Sequence, residues 1–526
     1  MNLGLLLDSI ATVCPDRVAI TAGGRRISYA ALHDGARARA DALQDRLGGR
    51  PLGYVGTNQP AFPLLLFTAA YAGVPFVPLN FRVKQAEYEH YLATSGLGVV
   101  VAEPRYQAML RDAAAAVGSP AQPVGLRDLA GVAATPRSTE VAGPDDAVLL
   151  FTSGTSGPAK LVRLSHTNLT SYVLSTVECG SAGPDETALL AAPPYHIAAV
   201  ANTLTSVFRG RRLVLMDRFD AREWLRLVAA ESVTHAMVVP TMLARILDVV
   251  EAEPALTPDT LRNLSYGGSR PPDGLVERAM TLLPAEVGLV NAFGLTETSS
   301  TVAMLTPEDH RAAWRSEVPA VRARLRSVGR PVPGVRIEVL RDDGTPAATG
   351  EPGEICVRGE QVSGGYVGGR LRVDDAGRLH TGDLGHVDDE GYLFVDGRLD
   401  DLIIRGGENI NPHEIEAVLA GHPRVDEALV FGVPDPEWGE SVAALVTGAD
   451  RVGADELQRW VRSRLASYKV PVRIDRVDEL PRNDLGKPLR SAARELLGAD
   501  PGSRTRIGRP GNGSSLPDRA SLTEER

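Results

Sequence analysis

Cysteine, aromatic side chains and any surplus of positive charge are scarce in this chain. Its three cysteines, Cys14, Cys179 and Cys356, are far apart and form no CxxC pair, so neither a disulfide framework nor a thiolate zinc site is indicated. A reducing, cytoplasmic setting is the expectation. Lys and Arg number 56 against 66 Asp and Glu, a net charge of -10, which leaves no basic field for a nucleic-acid backbone. The opening Met1-Asn2-Leu3-Gly4-Leu5-Leu6-Leu7-Asp8 lacks the basic start of a secretory signal. Unbroken apolar runs are missing too. The uncharged stretches 61–81 and 187–208 approach bilayer-spanning length, but Pro63, Gly73, Pro75, Pro78 and Asn80 interrupt the first, and Pro193, Pro194, His196 and Asn202 the second. Both read as buried core, and no membrane span is expected.

What is present is apolar material for a sizeable core, 43% of 526 residues. That length, a few times the usual ~150-residue domain, suits one large split domain plus a smaller one, or three modest ones. Over residues 18–147, short β-branched runs such as Val99-Val100-Val101 alternate with alanine-rich helical stretches, the texture of βα units. Buried parallel strands are predicted at 212–215, 236–239 and 287–290. After Gly329 turn pairs such as Asp343-Gly344 and Gly364-Gly365 punctuate the chain and indicate a β-rich subdomain over about 329–398. The predicted fold class is α/β: a large N-terminal domain over 1–398 and a small α+β C-terminal domain over 399–498. Residues 499–526, rich in Gly, Pro, Ser and Arg, are expected to be a disordered tail.

The strongest local signal is the apolar Val148-Leu149-Leu150-Phe151 running into Thr152-Ser153-Gly154-Thr155-Ser156-Gly157-Pro158-Ala159-Lys160. Such a loop can turn several N–H groups and hydroxyls toward one anion. It is not a Walker A loop, because Lys160 sits between Ala159 and Leu161. Downstream, Asn291-Ala292-Phe293-Gly294-Leu295-Thr296-Glu297 places an aromatic, a hydroxyl and a carboxylate at a predicted strand end, where ligands collect in open α/β sheets. Phe293 suits a planar base, Thr296 a phosphate oxygen and Glu297 a hard cation. In Thr381-Gly382-Asp383 the acid suits two vicinal hydroxyls. Two further clusters are Gly397-Arg398-Leu399-Asp400-Asp401, continuing to Arg405-Gly406-Gly407-Glu408-Asn409-Ile410, and Pro481-Arg482-Asn483-Asp484-Leu485-Gly486-Lys487.

Taken together these clusters resemble the adenylate-forming superfamily, which includes acyl-CoA synthetases, adenylation domains and firefly-type luciferases. The likeness covers roughly residues 10–495 and also takes in Pro193-Pro194-Tyr195-His196 and Gly267-Gly268. It implies that Thr152, Ser153, Gly154, Thr155, Ser156, Gly157 and Lys160 wrap the β- and γ-phosphates of ATP. Gly268, Ser269, Asn291, Phe293 and Gly294 would flank the nucleotide with Thr296, while Asp383 and Arg398 would hold ribose hydroxyls. Glu297 would take Mg2+, and His196 would lie beside the substrate carboxylate. Lys487 would bridge that carboxylate and the α-phosphate, with Asp400 as the pivot of a mobile lid. The family's Pro-Lys-Gly in the phosphate loop reads Ala159-Lys160-Leu161 here, which removes backbone freedom and puts loop mobility in question.

The resemblance further implies an acyl pocket walled by His196, Ile197, Ala198, Ala199, Val200, Val238, Val239 and Met242, with Tyr266, Gly267 and Thr301 nearby. These residues are mostly small or apolar, and the segments hold no arginine for a second carboxylate. Fatty, aryl or bulky polycyclic acids are therefore favoured over dicarboxylates and amino acids. The segment from Arg405 to Pro412 resembles the acyl-CoA synthetase form, which implies an acid:CoA ligase using coenzyme A at Arg405, Gly406 and Gly407. The alternative is an acyl-AMP ligase that loads a free-standing acyl carrier protein. Arg311, Arg315, Arg322, Arg324 and Arg326 are read either as a basic face for an acidic carrier or for CoA's phosphates, or as a solvated helix face, which is favoured. A third reading is a nucleotide-binding protein that keeps the fold without the chemistry.

Overall fold

The computed structural model describes residues 1–129, 146–152, 159–448, 452–483 and 486–498. Most of the phosphate loop, residues 153–158, lies outside the described residues, as does the 499–526 tail.

Two large sheets form the scaffold. In the nine-stranded sheet, Val18–Ala22, Arg212–Leu215, Thr187–Leu190, His235–Val238, Asn263–Gly267 and Gly288–Leu295 lie side by side in that order, all parallel. Antiparallel strands close its edges: Arg25–Ser28 at one side, Ser300–Leu305 and then Arg330–Pro331 at the other. The seven-stranded sheet has Asp146–Thr152, Phe76–Pro78, Leu52–Val55, Val99–Ala102 and Gln122–Val124 in parallel. Strands such as Leu52–Val55, Val99–Ala102 and Thr187–Leu190 are buried throughout, which is why they read as unbroken apolar runs.

The two uncharged stretches are broken around Gly73 to Pro75 and around Pro193-Pro194, whereas Pro63 is accommodated in the first turn of a helix. The first contains the helix Ala61–Ala72, stopped by Gly73 in a left-handed conformation, and the strand Phe76–Pro78. The second contains the strand Thr187–Leu190 and all but the last residue of the helix Ile197–Arg209. Phe62, Leu65, Leu66, Val200, Leu204 and Val207 from these helices join one core cluster with residues of both sheets. No helix among the described residues is long and apolar enough to cross a membrane.

The β-rich segment forms a four-stranded antiparallel sheet of Arg336–Leu340, Gly353–Arg358, Leu379–Val387 and Leu393–Arg398. A single turn, Leu399–Asp401, then leads into a separate five-stranded sheet, centred on the paired strands Val425–Asp435 and Gly439–Gly448. Alternation along Val425–Asp435 sends Val430 toward the helices Pro412–Ala420 and Ala454–Arg462. Leu429 and Phe431 go to the opposite face, under Arg490–Gly498. This final segment therefore has its own core. It meets the rest of the chain at the turn Leu399–Asp401, at the start of the helix Pro412–Ala420, where Asn411 Nδ2 donates to the Asp396 carbonyl (3.0 Å), and at the loop before Arg490.

Candidate active site

The Thr381-Gly382-Asp383 turn is built by its own hydrogen bonds. Thr381 Oγ1 donates to the Ile355 carbonyl (2.7 Å) and accepts from Asp383 N (3.0 Å), while Glu354 Oε1 accepts from Gly382 N (3.0 Å). Gly382 has φ +73°, a conformation that suits glycine. Asp383 lies in register with Arg398 across the hairpin, and Oδ1 is 3.3 Å from Arg398 Nη1. Asp383 is 5% exposed, yet its Oδ2 and the Arg398 Nε have no hydrogen-bond partner among the described residues. Buried polar atoms are seldom left unpaired, so this carboxylate–guanidinium pair is suited to a ligand bearing hydroxyls. Burial pushes the Asp383 carboxyl above the usual range, with Arg398 and Lys487 acting in the opposite direction.

Lys487 reaches the same cleft from the last segment. Its loop is closed by Asn483, whose N donates to Lys487 O (2.9 Å) and whose Oδ1 accepts from Lys487 N (2.9 Å), and by Arg482 Nη1 donating to Gly486 O (2.7 Å). Gly486, at φ +78°, packs so closely on the helix Pro240–Ala252 that a Cβ there would stand 2.8 Å from Thr241 Oγ1. The lysine stays exposed at the mouth of the cleft. The protein crowded round its ammonium nonetheless lowers its pKa, and Arg398 adds to this, against the pull of Asp383 and Asp401.

On the opposite wall, the strand Gly288–Leu295 runs into the turn Thr296–Thr298, which holds Glu297. A Cβ on Gly294 would lie 1.8 Å from the Ser300 carbonyl, and Ser299 and Ser300 have φ of 55° and 122°, so the backbone is forced into a tight reversal. Such strain collects at functional sites. Glu297 Oε1 accepts a hydrogen bond from Tyr366 Oη (2.9 Å), and Lys160 Nζ stands 5.4 Å from the centre of the Tyr366 ring. Sequence reasoning missed Tyr366, which comes from a two-residue strand 69 positions away and carries no motif of its own. Glu297 keeps a second carboxylate oxygen, enough for Mg2+, which is commonly bound by one or two carboxylates with substrate phosphates and water. Thr152 Oγ1 donates to Lys160 O (3.3 Å), across the ends of the segment expected to wrap phosphate. Leu161, where the family has glycine, is a buried strand residue opposite Phe151, so the departure is a packing feature.

Gly268, at φ +85°, packs beside Val239, which caps the helix Pro240–Ala252. A Cβ on Gly267 would meet the Ala292 carbonyl at 2.2 Å, so a bare backbone is required there. Phe293 is half-buried and Ser269 lies in the loop after the strand Asn263–Gly267. His196 immediately precedes the helix Ile197–Arg209, its buried Nε2 has no hydrogen-bond partner among the described residues, and burial with the nearby Arg82 charge lowers its pKa to about 4. It is thus a neutral imidazole at ordinary pH. Ile197 is half-buried beside it.

The other expected positions fall in the cores, beside the strained turn or at the surface. Tyr266 is fully buried behind its strand, with Oη bonded to His310 Nε2 (2.8 Å), because it shares a strand face with Leu264 in the helix-covered core. Val238 belongs to that same core, and Met242 packs against it. Val200 and Ala199 lie in the central core at zero exposure. Asn291 is also buried, and its amide donates to the Ser327 carbonyl (3.0 Å). Thr301 is buried beside the strained turn, and its carbonyl accepts from Gln361 (2.8 Å). The arginine cluster is dispersed: Arg324 is buried in ion pairs with Asp388 and Glu390, and Arg322 lies over Trp314. Gly406 and Gly407, at φ +60° and +89°, make an exposed two-residue turn between Ile403–Arg405 and Glu408–Ile410. Arg405 donates to the Tyr468 carbonyl (2.8 Å) and faces the exposed Trp438.

Residues 7–367 match the AMP-binding enzyme family, and residues 414–487 match the AMP-binding enzyme C-terminal domain. A feruloyl-CoA synthase of an Amycolatopsis species is 36% identical over 93% of this chain and 97% of its own length. The fatty acid–[acyl-carrier-protein] ligase ScoC of Streptomyces coeruleorubidus is 32% identical over 92% and 94%. Among solved structures, the o-succinylbenzoate CoA synthetase of Bacillus subtilis in complex with its acyl-adenylate intermediate superimposes with a TM-score of 0.80 at 30% identity, covering 93% of this chain and 97% of that one. That synthetase is also known in complex with ATP and a magnesium ion. The chain belongs to the AMP-binding enzyme family, and hence to the adenylate-forming superfamily of AMP-forming acyl ligases.

Proposed function

We propose that this enzyme joins a largely apolar carboxylic acid to coenzyme A through an acyl-adenylate, consuming ATP and releasing AMP and pyrophosphate. The observation that carries the reading is the convergence of Lys487, Asp383 and Arg398, with Asp383 Oδ2 and Arg398 Nε lacking a hydrogen-bond partner among the described residues and Glu297 close enough to act on Asp383. A carboxylate and ATP repel each other, so the site must neutralise charge before the oxygen attacks the α-phosphorus. Lys487 is suited to do this. Asp383 and Arg398 suit the ribose hydroxyls, and the neutral His196 is able to sit beside the acid without drawing it away from phosphorus. Glu297 would hold Mg2+, which supplies charge neutralisation on the phosphate oxygens. Ile197, Val239 and Gly267 remain as candidate walls of the acyl site, together with Thr301.

In the second step a thiolate attacks the acyl carbonyl and AMP leaves. Lys487 must then withdraw for the thiol to enter, a role suited to a lid that turns at Asp400 and presents Arg405, Gly406 and Gly407. We place the reaction in the cytoplasm, where ATP and CoA are supplied and free cysteines such as Cys14 and Cys179 persist. The likeness to ScoC supports a second acceptor, an acyl carrier protein.

The test is acid-dependent pyrophosphate release across fatty, aryl and polycyclic acids, with CoA or a carrier protein and mass spectrometry of the products. A CoA thioester is the expected product. Acyl-adenylate that transfers only to the carrier would replace CoA as acceptor, and no pyrophosphate with any acid would overturn the reading.

A further inference from the structure

Arg490 is held on three sides beside the hinge. Its Nε donates to the Val430 carbonyl (2.9 Å), Nη1 to Asp401 Oδ2 (3.1 Å) and Nη2 to Glu416 Oε1 (2.7 Å). Its side chain is 9% exposed. Glu416 is itself fixed, accepting from Val430 N (2.8 Å) and lying 2.6 Å from His413 Nδ1. The node thus joins the turn Leu399–Asp401, the helix Pro412–Ala420, the strand Val425–Asp435 and the start of the helix Arg490–Gly498. None of these side chains has a role in the chemistry proposed above.

Their place in the chain gives them one. Asp401 directly follows the pivot Asp400, and Arg490 comes three residues after Lys487, a distance of at most ~10 Å of chain. A planar guanidinium with three fixed partners holds direction as well as distance, which a flexible ammonium does not. We propose that Arg490 is a positioning residue for adenylation: through Asp401 it ties the Lys487 loop to the hinge, so that one setting of the hinge delivers the ammonium to one place. This rests on the ligase reading. Thioester formation needs Lys487 out of the cleft, so it does not depend on the tie.

Removing Arg490 outright would strand the half-buried Glu416, so the test variant is Asp401→Ala, which removes the acceptor and leaves the Glu416 and Val430 bonds of Arg490 intact. Arg490→Lys is the second. Each half-reaction is measured separately: pyrophosphate release from acid and ATP, and thioester formation from supplied acyl-adenylate and CoA. Both variants should lose up to about 10^2-fold in adenylation, the scale of an ~1 Å misplacement. The thioester step should change less than about 2-fold, with the thermal midpoint of Asp401→Ala near wild type. Equal losses in both steps, or no loss in either, would overturn the proposal. So would a loss in Asp401→Ala that disappears at lower pH, because Asp401 would then act through the charge on Lys487. A wild-type enzyme that releases no pyrophosphate with any acid would instead overturn the ligase reading itself.

Discussion

Burial pushes the Asp383 carboxyl above the usual carboxylate range. Arg398 and Lys487 oppose this, and Glu297 adds to it. A carboxyl whose folded pKa is raised is held protonated more firmly by the folded chain, so its ionisation costs stability above that pKa and the cost fades as pH falls through it. Asp383→Asn should therefore raise the melting temperature near neutral pH by about 1–2 °C, with the gain shrinking in acid, while ATP affinity drops sharply. Calorimetry at two pH values, beside ATP titration, checks both halves; a variant that loses stability at neutral pH would show that the Arg398 pair outweighs desolvation. For Lys487, the expected loss on substitution by Ala is about 10^2- to 10^3-fold in adenylation, the size for one electrostatic stabiliser. Thioester formation from supplied acyl-adenylate should be far less affected. Its lowered pKa also brings loss of charge closer to neutrality, so adenylation should fall on the alkaline side. Lys487→Arg, charged at any working pH, should flatten that limb in a rate–pH profile.

At the scale of elements, the reversal after Leu295 decides where Thr296 and Glu297 sit. Gly294 has no room for a Cβ against the Ser300 carbonyl, so Gly294→Ala must separate the strands Gly288–Leu295 and Ser300–Leu305 or distort the turn. A cost of about 1–3 kcal/mol is expected from overpacking of this kind, read as a lower denaturant midpoint, with weakened Mg2+-dependent ATP binding. An unchanged midpoint would mean that the turn relaxes freely. This element also shows where sequence reading stopped. Apolar, β-branched Val287 to Val290 predicted a strand, but Gly288–Leu295 continues through the motif because Asn291 to Leu295 pair with residues 300–305. That pairing is non-local and leaves no periodicity in Asn-Ala-Phe-Gly. Tyr266 had a signal that went unused: strand alternation puts it with Leu264, on the face opposite Ser265 and Gly267. Asp383 and Arg398 were legible as separate motifs, though only the hairpin register brings them together.

At the scale of the whole molecule, the small segment has its own two-faced core, so it is able to turn as a unit while its internal contacts persist. The turn Leu399–Asp401 is closed by Leu402 N donating to the Leu399 carbonyl (3.2 Å), with Asp400 in the second position. Proline is favoured at that position of a tight turn, so Asp400→Pro is compatible with the present arrangement, in which Lys487 stands near Asp383. The same ring fixes φ and hinders departure from it. Pyrophosphate release should consequently stay within a few-fold of wild type, whereas thioester formation from acyl-adenylate and CoA should fall on the order of 10^2-fold, because the acceptor geometry is no longer reached. The two rates, measured on one preparation, separate hinge motion from chemistry. If both half-reactions survive the substitution, the lid does not turn at Asp400, and Lys487 must leave the cleft by movement of its own loop, the segment between Arg482 and Arg490.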